Sequence, residues 1–203
     1  MLRYIYKITK TIEKEFDEFV IPIKICASFA KDEFGRVDSL IVTYNEKKHF
    51  IYLSADDLFM SQPNLMLSMK NFIKLDDYNF DNHPDIAVYS TQSGMKNVME
   101  NIYIYDNQKN RYFFNKILSN ISNCSIDKEN KTISTFGQGG MASMIYGSTT
   151  YKWENDKLVE IKNVNQDYID SLNVFVKKTR VLVDAIWTTK IDTLTEDQAR
   201  EWK

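Results

Sequence analysis

The dominant constraint on this chain is a hydrophobic period of two, repeated along most of its length and interrupted every few residues by turn-forming side chains. Alternation at that period places apolar groups on one face of a strand, and runs at helical spacing are rare. Residues 19–29 read as a strand, with Pro22 suggesting an edge or a bulge. Asp32-Glu33-Phe34-Gly35 is a turn into a return strand from Val37 to Tyr44, and Asn45-Glu46-Lys47-Lys48 turns again into Phe50-Ile51-Tyr52-Leu53. Further short strands are predicted over 69–75, 85–90, 102–105, 112–114, 131–136, 145–153 and 157–162. Strands at this spacing, joined by short turns, specify a mainly β, antiparallel fold of propeller-like or sandwich-like build.

Helices are minor in this pattern. Residues 56–66 carry Leu58, Phe59 and Met60 but are broken by Pro63, which allows only a short helical turn. A short C-terminal helix is better specified, because Thr195-Glu196-Asp197-Gln198 sets Thr and Gln three apart as a capping box. Between them, residues 172–187 are rich in valine and favour strand, although the run from Val181 to Trp187 also fits a helix. No Gly/Ser/Pro linker divides the 203 residues, so one β-rich domain over 1–203 is expected. Within it, residues 70–162 form the functional centre, 1–69 add strands, and 163–203 are a C-terminal extension.

Composition removes several classes of function. Lys and Arg number 26 against 28 Asp and Glu, a formal charge of −2, which disfavours a protein that lives on phosphate neutralisation; no nucleic-acid partner is expected. Two histidines, His49 and His83, leave little for a zinc cluster or a catalytic triad. Cys26 and Cys124 permit one disulfide, and two buried thiols are the simpler expectation. No apolar run is long enough for a transmembrane helix. The Gly-rich stretch Phe136-Gly137-Gln138-Gly139-Gly140-Met141 lacks the following helix that a phosphate loop needs, and reads as a hairpin. The acidic neighbours Glu13 and Glu15, or Asp56 and Asp57, have nothing local to raise a pKa and read as solvated. The chain is therefore expected not to be an enzyme.

One segment carries chemistry. In Asp76-Asp77-Tyr78-Asn79-Phe80-Asp81-Asn82-His83-Pro84-Asp85, the residues Asp77, Asn79, Asp81 and Asp85 occupy positions 1, 3, 5 and 9 of a calcium loop, with His83 at position 7 able to offer its carbonyl. Hard cations take several oxygens, and alternating short acidic or amide side chains on a tight turn converge on one point. Position 6, where the backbone must be left-handed, is Asn82, the residue most tolerant of that conformation after glycine. Position 12 is Val88, so the bidentate glutamate of an EF-hand is missing and the loop is bordered by strands. An acidic surface turn whose Asp and Asn cap backbone groups has the same composition.

The same residues carry a resemblance. The run Asp77-Tyr78-Asn79-Phe80-Asp81 through Asp85-Ile86-Ala87-Val88-Tyr89, then Ser93-Gly94, Tyr103-Ile104-Tyr105, Tyr151-Lys152-Trp153 and Lys157-Leu158-Val159, resembles a family of bacterial periplasmic immunity proteins. These protect cells against lysozyme-like and other peptidoglycan-hydrolysing toxins delivered by secretion systems, and are related in architecture to periplasmic lysozyme inhibitors. The resemblance implies a propeller-like β body, bound Ca²⁺ and inhibition by a loop pushed into the toxin's cleft. The matching loop here is Ser93-Gly94-Met95-Lys96-Asn97, in which the tyrosine that lysozyme inhibitors place two residues after Ser-Gly is absent. The partner expected is a cognate effector toxin, and the location periplasmic; the N-terminal sequence itself, with no export signal, reads as cytoplasmic if Met1 is the native start. A calcium-stabilised surface or adhesion module without inhibitor activity is the alternative.

Overall fold

A computed structural model describes residues 10–14, 23–29, 37–44, 46–52, 73–92, 97–155 and 157–201. Its described elements are almost all strands: β1 (Lys10–Lys14), β2 (Ile23–Phe29), β3 (Val37–Tyr44), β4 (Lys47–Tyr52), β5 (Ile73–Asp76), β6 (Asp85–Gln92), β7 (Val98–Asp106) and β8 (Arg111–Phe114). A single helical turn, α1 (Lys116–Ser119), precedes β9 (Ser125–Asp127), β10 (Thr132–Gln138), β11 (Tyr146–Glu154), β12 (Lys157–Ile169), β13 (Val174–Val183) and β14 (Ile186–Leu194). The short helix α2 (Glu196–Arg200) follows. The strands form three sheets, ordered β1-β2-β3-β4, β5-β6-β7-β8 and β14-β13-β12-β11-β10-β9. Every neighbouring pair whose register is resolved is antiparallel.

Contacts group the chain into two compact units. The first runs to Thr91 and includes Glu100–Ser119; the second comprises Gln92–Met99 and Asn120–Lys203. In the first, Ile86, Ala87 and Val88 on β6 are fully buried, and every residue from Glu100 to Tyr105 on β7 is buried. A strand buried on both faces has polymer on both sides of it, and the aromatic contacts say what one side is. Tyr44 of β3 meets Tyr105 of β7 edge-on at 4.9 Å, and His49 of β4 meets Tyr112 of β8 at 5.4 Å. The two four-stranded sheets thus meet face to face through rings, in a sandwich-like contact. The buried Glu100 carboxylate on β7 is paired with Lys74 on β5 at 2.5 Å. Asn115 starts α1 by accepting from the backbone N–H groups of Ile117 and Leu118, both at 3.1 Å.

The second unit is one antiparallel meander. One buried cluster in it is Met144, Phe175 and Ala199, with Tyr168 and Leu194 against them, and Ile121, Ile133 and Tyr146 are buried as well. The capping box expected at the C-terminus is present, with the Thr195 hydroxyl accepting from the Gln198 backbone and the Gln198 side chain from that of Thr195. Ala199 then faces the sheet. The Gly-rich stretch is the β10–β11 hairpin, in which a Cβ on Gly139 would lie 2.8 Å from the Ile145 side chain, so only glycine fits. Asn155 turns β11 into β12 at φ 49°, the left-handed geometry that tight hairpins require.

The structure departs from the sequence pattern in identifiable places. Strand β12 continues to Ile169, well past the expected end at 162, because it pairs along its whole length with β13. Residues 172–187 are neither one strand nor a helix. Asp184 and Ala185 both take positive φ, 50° and 62°, and fold the segment into a hairpin with Val183 opposite Ile186. Strands β1 and β9, the helical turn α1 and most of β14 are not anticipated from the sequence. The helical turn expected over 56–66, the turn at Asp32-Glu33-Phe34-Gly35 and Pro22 lie outside the described residues. Cys124 is half-buried, and the side chain of Cys26 lies outside those described. Among the described residues, no helix is long and apolar enough to cross a membrane.

Gln166, 1% exposed, donates its amide to the Met144 carbonyl at 2.8 Å and the Ala199 carbonyl at 3.1 Å, which ties α2 to β12. Gln166→Leu keeps the volume but leaves two buried acceptors unpaired. Chemical denaturation should show a loss of about 2–3 kcal/mol, and an unchanged midpoint would show that α2 is held by Ala199 packing alone.

Candidate functional site

The acidic turn between β5 and β6 is built around carboxylates that accept from the backbone. Asp77 receives Asp81 N–H on Oδ1 at 3.0 Å and Asn82 N–H on Oδ2 at 2.8 Å, which curls residues 77–82 around one side chain. Asn79 Oδ1 shares the Asp81 N–H at 3.3 Å, and its amide donates to Asp81 Oδ2 at 2.9 Å. Asp81 Oδ1 accepts from His83 N–H at 2.9 Å. The left-handed position expected at Asn82 is found, φ 64°, and Phe80 adopts it as well, φ 60°. A β-carbon costs about 1–2 kcal/mol in that region, so the carboxylate hydrogen bonds hold the turn against its own backbone preference.

Asp85 sits apart from this curl in environment. It is wholly buried, and its carboxylate takes Tyr78 N–H on Oδ2 and Tyr105 N–H on Oδ1, each at 2.8 Å. One side chain thereby joins the turn, the start of β6 and the C-terminal end of β7. Rings enclose it: Tyr112 donates its hydroxyl to the Pro84 carbonyl at 3.1 Å, and the Tyr44 hydroxyl lies 3.1 Å from His83 Nδ1. His83 also packs on Tyr105, with centroids 5.4 Å apart.

The electrostatics of the turn are those of crowded acids. Burial pushes the Asp85 carboxyl well above its usual range; the N–H groups of Tyr105 and Tyr78 oppose this, and the charges of Asp81 and Asp77 add to it. Burial likewise raises Asp77, against the N–H groups of Asn82 and Asp81. The Tyr112 phenol is raised, by burial first and then by the Asp85 charge, and burial lowers the His49 imidazole. No lysine or arginine pairs with Asp77, Asp81 or Asp85 among the described residues.

The five residues expected to hold calcium are therefore all on one turn, in two groups. Asp77, Asn79 and Asp81 are mutually hydrogen-bonded at its mouth, whereas Asp85 is committed to β7. Among the described residues no three His, Cys, Asp or Glu side chains are gathered around a point as metal ligands. Each carboxylate oxygen still has a lone pair beyond the one its N–H occupies, and it is Asp77, Asn79 and Asp81 that could turn oxygens towards a cation.

Of the loop expected to bind a partner, residues 93–96 lie outside the described ones. Asn97 is described, half-buried, and fastened within the second unit. It donates to the Gln138 carbonyl at 3.0 Å, accepts from Gln138 N–H at 2.9 Å, and accepts from the Asn123 amide at 3.2 Å. It works as a bracket for the chain that leaves the loop. Tyr44, His49, Tyr105, Tyr112 and Pro84 complete the acidic turn's surroundings and are not picked out as site residues by spacing. Phe113 and Phe114, 42% and 48% exposed, differ from the buried Tyr103 and Tyr105 of the same aromatic group and are free to line a surface.

No family model and no curated protein matches the chain. Among solved structures, it is similar to one described as "Structure of a Xanthomonas Type IV Secretion System related protein", with a TM-score of 0.58 and 19% identity over 89% of this chain and 92% of that one. At that identity the likeness is one of fold.

The two groups within the turn make different demands on stability. Asp85→Asn sets an amide N–H against a buried backbone N–H and weakens the other bond, so a loss of about 3 kcal/mol is expected in urea denaturation. Asp81→Ala removes an exposed cap and should cost about 1 kcal/mol or less. Equal losses would show that Asp85 is not the anchor of the turn.

Proposed function

We propose that this protein binds and inhibits a secreted antibacterial toxin, a peptidoglycan hydrolase or a related enzyme, by occluding its active site, and that it acts in the periplasm as an immunity protein. The observation that carries this is the likeness in fold, over nearly the whole of both chains, to a protein described as related to a type IV secretion system. A secretion-associated context suits a protein that guards against secreted toxins. The residue-level resemblance to periplasmic immunity proteins supports the same reading.

The described residues on either side of the loop are each fastened within their own unit. Asp85 fastens the start of β6, the strand that leads to the loop, and Asn97 fastens the chain that leaves it. Ser93 and Asn97 can mimic the hydroxyl and amide groups of a glycan in a hydrolase cleft, Gly94 allows close backbone approach, and Lys96 can meet catalytic carboxylates; Met95 supplies the apolar contact. The chain is proposed to have no turnover of its own.

Calcium belongs to the same proposal. Asp77, Asn79 and Asp81, with the His83 carbonyl and water, would hold the ion, and Asp85 would fix the turn behind it. Its contribution would be to neutralise acids that burial and mutual repulsion make costly. Isothermal calorimetry should show one Ca²⁺ per chain and a rise in Tm, both removed by Asp77→Ala/Asp81→Ala. Absence of heat and of any shift in Tm would remove the ion from the proposal while leaving inhibition open.

Inhibition has its own test. The purified chain should slow clearing of peptidoglycan by the cognate hydrolase at stoichiometric concentration. Changing Ser93, Gly94 and Lys96 together should weaken binding by about 2–5 kcal/mol, the range for losing a buried charged contact. Retained affinity would move the inhibitory surface elsewhere, and failure to affect any peptidoglycan-hydrolysing toxin encoded beside it would overturn the function.

A further inference from the structure

Strand β14 is the outermost of its six-stranded sheet, and among the described residues nothing pairs with its outer edge. It is nine residues long, Ile-Trp-Thr-Thr-Lys-Ile-Asp-Thr-Leu, and mostly exposed. Long exposed edges invite pairing, and proteins usually blunt them with prolines, bulges or charges. Here the register to β13 runs unbroken from Ile186 to Leu194 with no bulge. The edge carries an isoleucine, Ile191, that is 63% exposed between Lys190 and Asp192.

We propose that β14 is the interface of a symmetric dimer, in which it pairs antiparallel with β14 of a second copy about a two-fold axis through Ile191. The sequence of the edge selects this register. A two-fold axis perpendicular to a sheet keeps each side chain on its own face, so directly opposed residues must both be even-numbered or both odd-numbered, and the axis must fall on a residue. An axis on Lys190 sets lysine against lysine; one on Asp192 sets aspartate against aspartate. An axis on Thr189 sets Lys190 against threonine and Asp192 against Ile186.

With the axis on Ile191, Lys190 of each copy lies opposite Asp192 of the other, Thr189 lies opposite Thr193, and Ile191 lies opposite itself. Opposite charges and threonine pairs are favourable cross-strand neighbours, and like charges are not. Lys190 and Asp192 already approach to 2.9 Å within one chain, on the same face. The dimer would join the two pairs into an alternating cluster of four charges. The lysine that guards this edge against other strands is thus answered only by the chain's own aspartate, in one register.

The test is sedimentation velocity on the full chain over a range of concentrations, with charge reversals. Wild type should show a concentration-dependent dimer. Lys190→Glu and Asp192→Lys should each weaken it by about tenfold or more, and the double reversal should restore it, since two cross-strand pairs change sign together. A second arm keeps the register testable. In a Cys26→Ser/Cys124→Ser background, Ile191→Cys should oxidise to a disulfide-linked dimer, because opposed antiparallel residues have Cα atoms about 4.5–5.5 Å apart, within disulfide reach. Thr189→Cys alone should not cross-link, but should do so when mixed with Thr193→Cys. A chain that stays monomeric, a dimer indifferent to single reversals, or cross-linking at 189 equal to that at 191 would each overturn the proposal.

Discussion

The first unit depends on one buried carboxylate. Asp85 has no cationic partner among the described residues, yet it is fully buried, so its two backbone N–H contacts carry the whole task of solvating it. A buried charge without hydrogen bonds would cost several kcal/mol, which makes those contacts obligatory. Obligation is what gives the residue its organising role. The N–H of Tyr78 belongs to the turn and that of Tyr105 to β7, so the chain can bury Asp85 only by bringing turn and strand together. The enclosing rings follow, because Tyr44, Tyr105 and Tyr112 supply apolar bulk while Tyr44 and Tyr112 still find partners for their hydroxyls.

The second unit is organised on a different principle. Among its described residues there is no comparable acidic centre; the buried polar one is Gln166, which is neutral and serves two carbonyls. Its sheet is held by length of pairing, thirteen residues in β12 and ten in β13. Long hairpins of this kind have more backbone hydrogen bonds than core. They leave Val183, Ile186 and Ile191 exposed at 52%, 68% and 63%, whereas the first half of β6 and the middle of β7 in the first unit are buried on both faces. Exposed apolar side chains on an open edge are a liability in a monomer and an asset at an interface.

Much of this fold was legible from period-two patterning, and the exceptions have physical causes. Strand β3 has the expected bounds, and the Thr195 box caps α2 as its spacing requires. Strand β1, Lys-Thr-Ile-Glu-Lys, carries a single aliphatic residue, and β9 is three residues long; neither has a pattern to read, because pairing and not amphipathicity makes them strands. The β13–β14 turn was hidden because Asp184-Ala185 lacks the glycine or asparagine that announces a left-handed pair. In the acidic turn, spacing correctly identified Asn82 as left-handed. It did not separate Asp85 from the other acids, since the residues it meets in the fold, Tyr105 and Tyr112, lie 20 and 27 residues further along the chain.

That separation bears on how the turn can serve both as an anchor and as a cation site. Backbone N–H groups carry partial charges and approach a carboxylate along one lone pair, whereas a cation neutralises charge and takes another. The two are additive where an oxygen is open to solvent, as at Asp81, and exclusive where both sides of the carboxylate are enclosed, as at Asp85. Calcium at the mouth of the turn would therefore leave the Asp85 contacts intact while relieving the repulsion that Asp77 and Asp81 exert on it. Binding energy gained at the mouth would appear as stability of the folded turn, because an unfolded chain does not hold Asp77, Asn79 and Asp81 in one curl. The ion and the anchor would then reinforce one another through charge alone, without sharing an oxygen.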